Sequence, residues 1–94
     1  EHLLKEALRG VKGVWQAYIF GSYAKNKMDS ASDIDILAIG SHNTLEFQKK
    51  ISGIQKSVGR EINVVQMSLM EYKKKKRTDP FLRTVQRNPK IRIL

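Results

Sequence analysis

The run Asp33-Ile34-Asp35-Ile36-Leu37-Ala38-Ile39, closed by Gly40, limits the fold of this chain more than any other feature. Beyond its two acids it is apolar at successive positions, so both of its faces must be covered. A central strand in a sheet flanked by helices meets that demand. Trp15 to Phe20 has the same character apart from Gln16, and Glu61-Ile62-Asn63-Val64-Val65-Gln66 reads as a third strand.

The segments between these runs follow a helical period. Leu3, Leu4, Ala7, Leu8 and Val11 recur three and four apart until Gly10 and Gly13 end the pattern. Asn43 with Glu46 forms a capping box for a helix that runs to Val58, where Gly59 supplies the stop. Ser68 with Glu71 repeats the signature, and Asp79-Pro80 places a cap and a first-turn proline before a last helix. Ser22 caps a short helix after the first strand, Asp29 to Ser32 form a polar turn, and Ile91 to Leu94 add a short final strand. The expected fold is α/β (α+β), a small mixed or parallel sheet flanked by helices. With 94 residues it forms one domain over 1–94 with no room for a second core.

Lysine and arginine number 18 against nine acids, and this excess of +9 attracts nucleotides, nucleic acids or acidic protein surfaces. The absence of cysteine excludes disulfides, thiolate nucleophiles and sulfur metal sites together, and is compatible with a reducing interior. A cytoplasmic location is therefore expected. No apolar run reaches membrane-spanning length, and the first residues lack the layout of a signal peptide. The abrupt start on a helical pattern is consistent with a piece of a longer chain.

Chemistry concentrates in Phe20-Gly21-Ser22, ten further residues, then Asp33-Ile34-Asp35-Ile36. Alternation along a strand sends Asp33 and Asp35 to one side while Ile34 and Ile36 pack behind. Two carboxylates this close repel unless a cation sits between them, and hard oxygen ligands favour Mg2+ or Mn2+ with substrate phosphates completing the octahedron. At the strand-to-helix turn, Ser22 offers free backbone N–H groups to phosphate oxygens, and Gly21 permits their close approach. A phosphate cradle beside a metal pair describes a nucleoside triphosphate held by Mg2+.

The stretches Gly21-Ser22-Tyr23-Ala24-Lys25 and Ser32-Asp33-Ile34-Asp35-Ile36-Leu37 resemble the minimal nucleotidyltransferases of the DNA polymerase β-like superfamily. That resemblance implies the nucleotidyltransferase fold and transfer of a nucleoside monophosphate from a triphosphate, with ATP the expected donor, to a hydroxyl on a protein or small molecule. It also implies Asp33 and Asp35 as ligands of two metal ions and Gly21 and Ser22 as the triphosphate grip, with Lys25 adding a point charge. Lys25-Asn26 stands where the family usually has Arg-Gly. Asn63 stands where many active members carry a third acid, and an amide cannot accept a proton as a carboxylate does. Glu61, two residues earlier and on the same strand face, is the candidate substitute base.

Alternatives remain at this level. The same pocket would serve a noncatalytic nucleotide-binding module within a transcription regulator or a toxin–antitoxin pair. Lys73-Lys74-Lys75-Lys76-Arg77 reads first as a solvated helix end that complements the dipole, and nucleic-acid binding through it is not favoured. His2 and His42 lie outside any ligand spacing and read as surface residues. Trp15, Tyr18 and Phe20 are strand core or interface before they are stacking platforms, and Pro80-Phe81-Leu82 docks the last helix on the sheet.

Overall fold

The computed structural model describes residues 2–21, 24 and 33–94. The chain runs α1 (His2–Leu8), β1 (Val14–Phe20), β2 (Ile34–Gly40), α2 (Thr44–Val58), β3 (Ile62–Met67), α3 (Leu69–Lys75), α4 (Pro80–Arg87) and β4 (Ile91–Arg92). The short helix expected from Ser22 and the turn from Asp29 to Ser32 lie outside the described residues.

The strands form one sheet in the order β3-β2-β1-β4. β1 is antiparallel to both β2 and β4, whereas β2 and β3 are parallel, so the sheet is mixed. A parallel pair needs a crossover, and α2 provides it. Asn43 caps α2 by accepting the Glu46 N–H at 3.0 Å, and Gly59 ends it in the left-handed conformation with φ 69°. The capping pattern therefore sets the length of the crossover that brings β3 alongside β2.

Alternation divides the apolar side chains between two layers. One face of the sheet sends Ala17, Ile19, Ile34, Ile36, Ala38 and Ile62 against Leu4 and Leu8 of α1 and Phe47, Ile51 and Ile54 of α2. The α2 residues fall at i, i+4 and i+7, which is one helical face. On the other side Leu37 and Ile39 meet Leu82 and Val85 of α4, with Tyr18, Phe20, Met67, Leu69 and Tyr72 around them. Full burial of each Leu, Ile or Phe contributes about 1.5–3 kcal/mol, so these two layers supply most of the drive to fold. Leu82 docks the last helix as expected, while Phe81 stays at the surface and meets the Phe20 ring edge-on at 5.4 Å.

His42 corrects the surface reading. It is buried, with its ring 5.1 Å from Phe47 and its Nε2 2.8 Å from Gln66 Oε1. It follows Gly40 and Ser41 at the end of β2, and the reversal into α2 tucks the ring beneath that helix. His2 is exposed, near Glu6. Trp15 is half-exposed and leans on Tyr72, beside an irregularity in the β1–β2 register between Val14 and Gln16.

Candidate functional site

The site is built on one row of the sheet. Phe20 of β1 is in register with Asp35 of β2, and Asp35 is in register with Asn63 of β3. Neighbours across a row share a face, so these three side chains emerge together on the α4 side. Because β1 runs antiparallel to β2, the end of β1 meets the beginnings of β2 and β3, and the chain turns at Gly21 next to Asp35.

Gly21 has φ +74°, a region L residues rarely occupy. A Cβ built there would lie 2.5 Å from Asp35 Oδ2. The missing side chain is thus the space in which the Asp35 carboxylate approaches the turn. Its other oxygen, Oδ1, accepts a hydrogen bond from Asn63 Nδ2 at 3.2 Å. Asp35 is half-buried and Asp33, just ahead of β2, is exposed; strand alternation sets both on one side. Ser22 and Lys25 lie outside the described residues.

Glu61 enters this region through its backbone, since its carbonyl accepts the Ile34 N–H at 3.0 Å, and it precedes β3 as an exposed residue. Among the described residues no three His, Cys, Asp or Glu side chains come together in a group able to hold a metal. Asp33 and Asp35 are therefore not joined there by a third acid, and the position opposite Asp35 carries the Asn63 amide. Two carboxylates on one side of the strand are a donor set open to a hard divalent cation, since such ions are often bound through one or two protein carboxylates and keep waters or substrate oxygens elsewhere.

Next to the turn lies a cleft of about 270 Å³ lined by Phe20, Gly21, Phe81, Thr84, Val85 and Asn88. Phe81, Thr84 and Val85 of α4 and its C-cap Asn88 recur at i, i+3, i+4 and i+7 and so lie along one face of that helix. This cleft was not visible in the sequence, where Phe81 belonged with the docking residues. The helical spacing of Phe81, Thr84, Val85 and Asn88 was the available signal, but only the sheet geometry shows that Gly21 lies against it.

A glycine turn meeting a strand aspartate at the end of a mixed four-stranded sheet is the architecture of the nucleotidyltransferase fold. The chain belongs to the nucleotidyltransferase domain family, which matches residues 2–92. Solved structures with the same fold include a toxin–antitoxin with AMP-PNP, at TM-score 0.66 and 15% identity, covering 99% of this chain and 71% of the other. A double aspartate-to-glutamate mutant of the toxin–antitoxin MntA-HpeT aligns with TM-score 0.63 and 14% identity over 95% of this chain and 68% of its own. A tyrosine-to-alanine mutant of MntA-HpeT aligns with TM-score 0.57 and 20% identity over 70% of this chain and 55% of its own. No curated protein matches the sequence significantly. No helix among the described residues is long and apolar enough to cross a membrane.

Proposed function

We propose that this domain binds a nucleoside triphosphate, ATP, and transfers its nucleoside monophosphate to a hydroxyl on a protein partner. The observation that carries the reading is the convergence of the Gly21 turn and the Asp35 carboxylate at one strand end, with Asp33 beside it. Asp33 and Asp35 would hold Mg2+, whose chemistry when bound is to neutralise charge on the attacking and leaving oxygens. The Gly21 backbone, with Ser22 following, receives the phosphates without side-chain obstruction, and Lys25 adds a positive charge to them. The cleft between Phe20 and α4 is shaped to seat the remainder of the donor. The toxin–antitoxin structure with AMP-PNP supports both ATP and a protein partner.

In the transfer, the acceptor oxygen bonds to the α-phosphorus, the bond to pyrophosphate breaks, and the hydroxyl proton passes to a base. Glu61 is the base proposed for that proton. Asn63 cannot take this role, because its amide nitrogen already donates to Asp35 and an amide oxygen is a very weak base. That same hydrogen bond favours a second reading, in which the pocket holds nucleotide and signals occupancy to a partner without transfer.

Incubation with labelled ATP, Mg2+ and candidate acceptor proteins separates the two. Transfer that disappears in the combined Asp33→Ala and Asp35→Ala variant supports the enzyme, and transfer that survives it refutes this site. Nucleotide binding without transfer, unchanged in Asn63→Asp, supports the signalling module instead.

A further inference from the structure

We infer that the groove between the end of α3 and the outer face of α4 binds the phosphodiester backbone of a nucleic acid. The groove is shallow and open, with a volume of about 520 Å³, and is lined by Lys76, Arg77, Arg83, Gln86 and Arg87. Two separate stretches of sequence supply its four cations. Lys76 caps the C-terminal end of α3 and Arg77 follows it, whereas Arg83 and Arg87 lie one turn apart on α4.

Charge in this groove is not internally compensated. No acid lines it, and among the described residues none of the four cations is ion-paired; the one pair on α3 joins Lys75 to Glu71 at 3.3 Å. Like charges held around one concavity repel one another, and a polyanion relieves that repulsion. Guanidinium groups match phosphate oxygens in a two-pronged geometry, and three of the four cations are arginines.

The lining also distinguishes between polyanions. A protein interface has an apolar, often aromatic centre, and this groove contains no apolar residue. Nor does it contain an aromatic ring on which an unpaired base could stack. Recognition through backbone phosphates needs neither, which makes a duplex the expected ligand form. The groove is distinct from the nucleotide site: Arg83, Gln86 and Arg87 line it, while Phe81, Thr84, Val85 and Asn88 line the cleft at Gly21. A duplex here would lie about one helix diameter, roughly 10–12 Å, from that cleft.

The test is fluorescence anisotropy with labelled duplex RNA and duplex DNA of equal length, titrated at several salt concentrations. Four phosphate contacts predict a log–log salt slope of about −3.6, a loss of roughly 150-fold between 50 and 200 mM salt. Combined Lys76→Gln, Arg77→Gln, Arg83→Gln and Arg87→Gln should remove most of that slope and at least about tenfold of the affinity at low salt. Lys12→Gln, Lys49→Gln, Lys50→Gln and Lys56→Gln together remove the same charge from exposed positions elsewhere and should change affinity by less than about threefold. Single Arg83→Gln and Arg87→Gln variants, which perturb folding least, should each lower the slope by about one. Whichever duplex binds more tightly identifies the source of the backbone and supports the assignment. Equal losses in the two fourfold variants would overturn it, as would equal binding of a polyglutamate peptide, which would assign the groove to an acidic protein.

Discussion

Replacing Gly21 with alanine tests the geometry of the site through two separable costs. The left-handed backbone at φ +74° costs an L residue about 1–2 kcal/mol. In addition, the new Cβ would lie 2.5 Å from Asp35 Oδ2, so the carboxylate must swing away and give up its bond to Asn63. A hydrogen bond to a charged group contributes about 1.5–3 kcal/mol, and Asn63 is exposed, so the lower end applies. The sum is about 3 kcal/mol, which in a domain of this size lowers Tm by roughly 12–24 °C. In an Asp35→Ala background the steric part vanishes and Gly21→Ala should cost only the backbone term, leaving a coupling of about 1.5 kcal/mol. Urea unfolding of the four proteins measures that coupling, and calorimetry with Mn2+ and ATP should show Gly21→Ala binding at least about tenfold more weakly. Equal costs of Gly21→Ala in both backgrounds, with nucleotide affinity unchanged, would show that the turn and the carboxylate do not share this space.

Three further outcomes follow from the structure. Glu61→Gln should lower the transfer rate by about 10²–10⁴ while leaving nucleotide binding unchanged; a rate within twofold of the parent would assign the proton to another group. Phe47→Ala, at a fully buried position of α2, should cost about 3–5 kcal/mol, seen as a lower urea midpoint with an unchanged slope. Burial raises the Tyr18 pKa, with Arg92 opposing and Tyr72 adding to the rise, and its hydroxyl donates to Gln16 Oε1. The unfolded chain therefore releases the Tyr18 proton first, so its contribution is full below about pH 10 and is lost as pH rises through the higher folded value. Urea midpoints should fall more steeply above pH 10 for the parent than for Tyr18→Phe, and parallel curves would contradict the burial argument.

Local signals carried the elements well. Asn43 with Glu46, Gly59, Ser68 with Glu71, and Asp79-Pro80 all stand at helix boundaries, because capping is decided by hydrogen bonds a few residues apart. The strand runs were equally legible, since alternation records which faces are covered. Strand direction is less legible, because nothing in the two runs themselves records that β1 lies antiparallel to β2. Spacing placed Asp33 and Asp35 on one side, but the row joining Phe20, Asp35 and Asn63 depends on register between strands far apart in sequence. The burial of His42 is hidden from local signals for the same reason: its partners Phe47 and Gln66 come from α2 and β3, and a lone histidine between Ser41 and Asn43 carries no sign of them. The basic groove joins residues from two helices, so the Lys73 to Arg77 run showed only half of it.

The central claim is best tested by a crystal soaked with Mn2+ and a nonhydrolysable ATP analogue, with anomalous scattering locating the metal. The account predicts an anomalous peak ligated by Asp33 and Asp35, with the analogue's phosphates over the Gly21 backbone. A metal bound elsewhere, or a nucleotide seated away from that turn, would contradict it.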